Sequence, residues 1–116
     1  MSIEELSTLP DGLVIFVRKD CPTCVEIQSV LRQLSKSDLV LTVYSDDPGF
    51  PARVSTVKHD RDLRVFRKNE VDDVPTLIHV VDGRAVARTV GWERRSWEAL
   101  TGTDDLGLDL PDWRPG

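Results

Sequence analysis

Two cysteines separated by two residues are the side chains of this sequence best suited to redox chemistry. They form the segment Cys21-Pro22-Thr23-Cys24, which follows an apolar run and opens a stretch of helical periodicity. Pro22 suits the first position of a helix, because its missing N–H would be unpaired there in any case, and Cys21 then becomes the N-cap residue. Unpaired N–H groups at a helix N-terminus favour a thiolate, and such contexts lower the pKa of a cysteine from about 8.5 to roughly 3.5–7.5. Cys21 is therefore the predicted nucleophile.

Cys24 is the predicted resolving thiol. It lies one turn further into the helix, on the same face as Ile27 and Leu31, so we expect it to be less exposed and to hold its proton more tightly. In the expected cycle, Cys21 attacks a substrate disulfide, and Cys24 then attacks the mixed disulfide and closes a Cys21–Cys24 bond. The opposite direction would oxidise a dithiol, and the sequence leaves direction and reduction potential open.

Other uses of a cysteine pair are less consistent with this sequence. A zinc site would need further ligands, but the two histidines, His59 and His79, are far apart and not in a finger-like spacing. Burial as an inert pair is disfavoured, because a thiol at a helix N-terminus beside Arg18 and Lys19 is hard to bury and easy to ionise. An iron–sulfur cluster shared by two chains through Cys21 would colour the purified protein brown.

The segments around the cysteines predict a strand–helix–strand unit. Leu13 to Val17 is a continuous apolar run, which is typical of a buried central strand. Apolar residues then recur at helical spacing over 22–35, and a second apolar run covers Leu39 to Tyr44. The two strands of such a βαβ unit must be parallel.

A loop and a short helix are expected next. Ser45 to His59 contains several proline and glycine residues and is predicted to be a long loop. Asp60 is the predicted N-cap of a short helix, with Leu63 and Phe66 facing inward and Asn69 at its end.

The remaining elements are predicted to be a hairpin and a last helix. Strands over Thr76 to Val81 and Arg84 to Val90 flank Asp82-Gly83, a dipeptide that strongly favours a two-residue hairpin turn. A helix from Glu93 to about Thr101 would then place Trp97 on the sheet.

A proline stands directly before the first strand of this hairpin. Because proline cannot occupy a central strand, Pro75 at its first residue requires a special backbone. A cis Val74–Pro75 bond is one way to provide it, although trans is the commoner form for any proline taken alone.

Together these features resemble the thioredoxin family, in which a helix-capping CxxC motif faces a cis-proline loop. The resemblance covers roughly residues 13 to 100 and rests on the cysteine motif, on Val71-x-x-Val74-Pro75-Thr76-Leu77, on Asp82-Gly83 and on Val90-Gly91. It implies an α/β protein with a thioredoxin-like fold, that is, a central mixed β-sheet flanked by helices in the order βαβ then αββα.

The resemblance also implies a substrate-binding surface. Pro75 would be cis and would pack against the cysteine pair, and the backbone of Val74 would pair with an extended substrate segment. Since main-chain pairing is weakly selective, nearby charged side chains would choose partners by charge. The predicted substrate-binding residues are Pro22, Thr23, Val74, Pro75, Arg18 and Lys19, with Asp72 and Asp73 close by.

Two departures from the family pattern bear on activity. Thioredoxins carry tryptophan where this chain has Asp20, and they bury an aspartate, the proton acceptor for the second thiol, at the position of Ile15. The motif is more similar to that of glutaredoxins, which have Cys-Pro-x-Cys and a basic residue at the position of Arg18 that helps to hold glutathione. The glycine pair that glutaredoxins use for the γ-glutamyl group is missing, because Gly91 is followed by Trp92.

Composition and charge narrow the choice of partners. The 116 residues carry a formal charge of −5 at pH 7, which argues against a nucleic-acid-binding surface. The apolar runs are too short to span a membrane, and the first ten residues do not form a signal peptide, so we expect a cytoplasmic protein with no membrane partner.

Ser2 and Glu5 match a capping box for a short helix at the start of the sequence.

We expect one thioredoxin-like domain over residues 1–102 and a C-terminal extension over 103–116. The extension is expected either to dock on the domain with a frayed end or to serve as a strap or partner-binding segment, since Leu106, Leu108 and Leu110 alternate and could lie along an edge.

The sequence thus predicts a thiol-disulfide oxidoreductase. A disulfide reductase is favoured because cytoplasmic thiol pools are reducing. Its partners would be disulfide-containing proteins or small thiols, with a reductase or glutathione as electron donor and no resident cofactor beyond the Cys21–Cys24 disulfide. The alternatives are a glutathione-dependent, glutaredoxin-like enzyme and a non-catalytic module whose disulfide gates protein binding.

Overall fold

The central feature of the fold is a mixed β-sheet with helices on both faces. The computed structural model describes residues 9–116, so the predicted Ser2–Glu5 capping box lies outside the described residues. Within that part of the chain, one sheet has the strand order β3-β2-β1-β4-β5. Its strands are β1 (Gly12–Val17), β2 (Leu41–Ser45), β3 (Val57–His59), β4 (Thr76–Val81) and β5 (Arg84–Val90).

Strand β1 forms the middle of this sheet, as the sequence predicts. It is parallel to β2 and antiparallel to β4, and residues 14–17 are fully buried. Ile15 and Val17 belong to one apolar cluster, whereas Val14 and Phe16 belong to the other. The alternation follows from the period of two in a strand, and burial of both faces explains why the run is continuously apolar.

The predicted helix over 22–35 is two helices, α1 (Pro22–Glu26) and α2 (Gln28–Ser35). They meet at Ile27, whose ψ of 7° interrupts the helical backbone. Hydrogen bonds continue across the joint, from Ile27 N–H to the carbonyl of Thr23 and from Leu31 N–H to that of Ile27. Ile27 is fully buried with Leu31 and Leu34, so this apolar face still holds both helices on the sheet.

A short parallel strand, β3, lies where the sequence predicts only loop. It pairs with β2 alone, and Lys58 and His59 are exposed. The predicted loop over 45–59 is therefore wrong for its last three residues and for Ser45, which ends β2. Three residues with two polar, exposed side chains carry no alternation that a sequence pattern could detect.

Helix α3 (Arg64–Lys68) covers the second face of the sheet. Its N-cap residue is Leu63, and the predicted N-cap, Asp60, lies further upstream. The Asp60 carboxylate nevertheless accepts hydrogen bonds from the backbone N–H groups of Arg64, Val65 and Phe66, at 3.0, 2.8 and 3.0 Å. Asp60 therefore performs the predicted capping role from a different position.

The hairpin of β4 and β5 has the predicted two-residue turn. Asp82 and Gly83 both have positive φ, 52° and 78°, which matches the right-handed twist of the strands. The Asp11 carboxylate accepts hydrogen bonds from both turn N–H groups and so ties the turn to the start of β1.

The segment after the hairpin packs on the same core. Helix α4 (Arg94–Thr101) follows a short strand β6 (Trp92–Glu93), which pairs antiparallel with β7 (Trp113–Arg114). Trp92 and Trp97 make an edge-to-face contact at 5.3 Å between ring centroids, and both are buried in the larger cluster. The expected helix around Trp97 is thus confirmed.

Residues 103–110 form turns, and their leucines do not lie along a sheet edge, which was one of the two alternatives for the extension. Leu106 is fully buried, Leu108 is 66% exposed and Leu110 is partly buried. The guanidinium of Arg94 donates to the carbonyl oxygens of Leu106, Gly107 and Leu110. The alternating leucines lie in turns whose carbonyl groups are held by the partly buried Arg94 side chain. None of the helices described in residues 9–116 is long and apolar enough to cross a membrane.

Candidate active site: a cysteine pair beside the Val74–Pro75 loop

Cys21 is the N-cap residue of α1, as predicted. Its backbone is extended, with φ −96° and ψ 115°, and Pro22 follows at the start of the helix. The Cys21 sulfur accepts a hydrogen bond from the backbone N–H of Cys24 at 3.0 Å. A donor aimed at sulfur in this way stabilises negative charge on it.

Cys24 lies under Cys21 and is fully buried. Burial raises the pKa of the Cys24 thiol well above its ordinary value, and its hydrogen bond with Cys21 and the charges of Cys21 and Asp20 raise it further. A backbone hydrogen bond with Arg18 lowers the pKa in part. Both cysteines are free thiols. The expectation that Cys24 is the less exposed of the two thiols is therefore confirmed.

The loop before β4 faces the Cys21 thiol. The Val74–Pro75 peptide bond is cis, as the resemblance implies, and Pro75 is buried. The thiol of Cys21 donates to the carbonyl oxygen of Val74 at 3.5 Å. The N–H of Gly91, at the end of β5, donates to the carbonyl oxygen of Pro75 at 2.7 Å and holds the loop to the sheet. Phe50–Pro51 is also cis, which the sequence analysis did not anticipate.

Arg18 and Lys19 face acidic side chains of the chain itself. Arg18 approaches Asp20 at 3.3 Å and Asp46 at 3.8 Å. The ammonium group of Lys19 lies 3.7 Å from Asp47, and its backbone N–H donates to Asp46 at 3.0 Å. Three carboxylates thus lie near the two cations, and their negative charge offsets part of the attraction that Arg18 and Lys19 would exert on an anionic substrate.

The two residues between the cysteines have different surroundings. Pro22 is exposed, whereas Thr23 is buried. The hydroxyl of Thr23 donates to the carbonyl oxygen of Pro115 at 2.6 Å. Thr23, predicted to bind substrate, is therefore in contact with the C-terminal segment of its own chain.

The structure brings Cys21, Cys24, Val74 and Pro75 together, with Thr23 beside them. Arg18 and Lys19 precede Cys21 along the chain, and their side chains face acidic residues. Asp72 and Asp73 are exposed on the loop, and Asp73 contributes only its backbone carbonyl, which accepts from the Thr76 hydroxyl. Sequence reasoning missed Arg114 and Pro115, because no local pattern links them to α1.

The histidine, cysteine, aspartate and glutamate side chains of the described residues are the potential ligands of a metal ion. No group of three or more histidine, cysteine, aspartate or glutamate side chains in the region 9–116 is arranged to hold an ion. The arrangement supports a different chemistry: a partly exposed thiol, with an N–H donor aimed at its sulfur, lies directly above a buried thiol that can attack it.

Comparison with known proteins adds no family. No family model matches the chain, and a search of curated proteins gives no match either.

Proposed function

We propose that this protein is a thiol-disulfide oxidoreductase with a thioredoxin-like fold. The observation that carries the proposal is the position of the Cys21 thiol, 3.5 Å from the Val74 carbonyl and directly above the buried Cys24. An exposed nucleophilic thiol, a second thiol within one helical turn and an adjacent loop for an extended peptide are the parts that disulfide exchange requires.

The arrangement of the elements supports the same proposal. A parallel β1–α1–α2–β2 unit is joined to the antiparallel β4–β5 hairpin, giving a mixed sheet with helices on both faces. The cysteine motif follows β1, and the Val74–Pro75 loop precedes β4. This is the placement that the resemblance to thioredoxins implies for the reactive thiols and the substrate loop.

In the first step, the Cys21 thiolate attacks one sulfur of a substrate disulfide. A bond forms between Cys21 Sγ and that sulfur, the substrate S–S bond breaks, and the other substrate sulfur leaves as a thiolate that takes up a proton. The N–H of Cys24 stabilises charge on the attacking sulfur. An extended backbone at Val74 would hold the substrate segment in register beside it.

In the second step, Cys24 loses its proton and attacks Cys21 Sγ. The mixed disulfide breaks, the remaining substrate sulfur leaves as a thiolate, and the Cys21–Cys24 disulfide forms. The substrate gains two electrons and the protein loses two, which an external thiol must return. Ile15, fully buried in β1, leaves this strand position without a carboxylate base, so water or the departing thiolate must accept the proton.

The proposed direction is reduction, with disulfide-containing proteins as substrates and a reductase or glutathione as electron donor. This direction rests on the proposed cytoplasmic location, where thiol pools are reducing. The ion pairs of Arg18 argue against a glutaredoxin-like reaction with glutathione. Arg18 would have to bind a glutathione carboxylate, but its guanidinium already faces Asp20 and Asp46.

One observation favours a second candidate, a binding module gated by its disulfide. Burial raises the pKa of Cys24, and β1 has no carboxylate at Ile15 to take its proton, so a slow resolving step would limit the protein to single redox transitions. In such a module, the dithiol and disulfide forms would differ in partner binding without repeated turnover.

Turnover with a protein disulfide separates these functions. Reduction of a generic disulfide protein in the presence of a thiol donor would be followed with wild type, Cys21→Ser and Cys24→Ser. With the donor, we expect many turnovers for wild type and none for Cys21→Ser. Without the donor, we expect Cys24→Ser to hold a stable mixed disulfide with substrate, because the resolving thiol is missing. Wild type that reacts no faster than Cys21→Ser would contradict the enzyme proposal.

A further inference from the structure

Residues 113–116 lie on the surface that the proposed function gives to the substrate. β7 (Trp113–Arg114) pairs with β6, and the next residue, Pro115, accepts the hydrogen bond of the Thr23 hydroxyl at 2.6 Å. Thr23 stands between the two cysteines, so this bond brings the segment onto the cysteine motif itself.

The segment also reaches the loop on the other side of the Cys21 thiol. A Cβ at Gly116 would lie 3.3 Å from the carbonyl oxygen of Val74, the same oxygen that accepts from Cys21. A Cβ at Gly91 would lie 3.1 Å from the backbone of both Arg114 and Gly116, so a side chain at this position would press on the segment where it crosses. Residues 115 and 116 therefore lie between α1 and the Val74–Pro75 loop.

The two ends of residues 103–116 are attached differently. Leu106 is fully buried in the main core, and Arg94 binds the carbonyl groups of the turns around it. Beyond these turns, residues 113–116 are held by the two-residue ladder of β7, by the Thr23 hydrogen bond to Pro115 and by an ion pair between Arg114 and Glu26 at 3.0 Å. The Arg114 and Glu26 side chains are 45% and 41% exposed, so this pair is weak. The segment can separate from the site while its start stays anchored.

We propose that residues 113–116 form a strap that occupies the substrate groove of the dithiol and must be displaced by an extended peptide carrying a disulfide. This inference rests on the proposed function. A small disulfide can reach the partly exposed thiol past the strap, whereas a polypeptide substrate needs the Val74 backbone that the strap covers. The strap thus makes the protein selective by competition, and the ion pair of Arg114 with Glu26 is one of the contacts that hold it closed.

A charge swap in the full chain tests the strap without removing any of it. The proteins are wild type, Glu26→Arg, Arg114→Glu and the double variant, in which the pair is restored with reversed charges. Arg84→Glu is the matched control, because it reverses an exposed arginine at the far end of β5 from Val90, which adjoins Gly116. All five proteins are expected to fold, since the changed side chains are exposed or half-exposed.

The readout is the alkylation rate of Cys21 with a maleimide on a long polyethylene glycol, divided by its alkylation rate with neutral iodoacetamide. The small reagent corrects for changes in thiol reactivity, and the bulky reagent reports access to the groove. We expect the ratio to rise about two- to fivefold in each single variant, the range for loss of an exposed ion pair. It should return to the wild-type value in the double variant and stay there in Arg84→Glu.

Equal ratios in all five proteins would overturn the strap, as would a rise in the single variants that the double variant fails to reverse. The readout does not depend on turnover, so it separates this inference from the proposed function. If no variant reduces a disulfide but the ratios behave as expected, the strap stands and the enzyme proposal fails.

Discussion

The thiol of Cys21 lies 3.5 Å from the carbonyl oxygen of Val74, a residue 53 positions further along the chain. The contact follows from the sheet, because β1 and β4 are antiparallel neighbours with Phe16 opposite Thr76. The chain leaving β1 and the chain entering β4 therefore meet at one edge. The sheet brings a helix N-terminus carrying a thiol to a loop whose backbone can hold a peptide.

The resolving step should accelerate steeply with pH. Burial raises the pKa of Cys24, so its thiolate is a minor species at neutral pH and its fraction grows about tenfold per pH unit. Stopped-flow release of the second thiolate from an aromatic disulfide reagent measures this step, and Cys24→Ser, which lacks the second release, is the control. A rate that stays constant between pH 7 and 9 would rule out Cys24 as a thiol of raised pKa.

The same raised pKa makes the reduced protein less stable in alkaline solution. At pH values above the ordinary pKa of a cysteine, the unfolded chain loses the Cys24 proton while the folded chain keeps it. The free energy of unfolding should therefore fall with rising pH, by up to about 1.4 kcal/mol per unit from this group. Denaturant titrations between pH 8.5 and 10 should show a shallower decline for Cys24→Ala, and parallel declines would refute the linkage.

Asp46 should disfavour anionic disulfides at the site. Asp46→Asn keeps an oxygen for the Lys19 N–H but removes the charge that faces Arg18. We expect the rate with glutathione disulfide to rise about two- to fivefold at low ionic strength and less at high salt. The control is Asp38→Asn, an exposed change before β2, at the opposite end of this strand from Asp46. Equal effects of the two changes on the rate would contradict a local role of Asp46.

Leu106 should contribute to stability as a core residue although it lies in the C-terminal segment. Truncation to alanine should cost about 2–5 kcal/mol, because the side chain is fully buried among Trp92, Trp97 and their neighbours. The matched change Leu108→Ala removes a side chain that is 66% exposed and should alter stability by no more than about 0.5 kcal/mol. If thermal or urea unfolding shows a similarly small loss of stability for both variants, residues 103–116 are not part of the cooperative unit.

The elements that the sequence predicts well are those with a strong local signal. The run Leu13 to Val17 is apolar throughout because both faces of β1 are buried, and Asp82-Gly83 supplies the positive φ values of the hairpin turn. Pro22 likewise fixes the start of α1 and the capping position of Cys21. Each of these choices is decided within a few residues.

The features that sequence reasoning missed depend on distant partners. Arg114 meets Glu26 across 88 residues, and the Lys19 N–H meets Asp46 across 27, so neither contact leaves a periodic pattern. The sequence therefore predicts that Lys19 binds substrate, whereas in the fold its backbone N–H and its ammonium group face Asp46 and Asp47. The break at Ile27 has the same character, because the apolar spacing is unchanged on both sides of it.

The central claim is that Cys21 and Cys24 form a reversible redox pair. The direct test is to equilibrate the protein in a series of glutathione redox buffers, alkylate the free thiols and measure the intact mass. We predict one two-electron transition between dithiol and internal disulfide, at roughly −180 to −270 mV, the range of known exchange catalysts. A chain that keeps both thiols throughout, or that only accumulates a glutathione adduct, would contradict the claim.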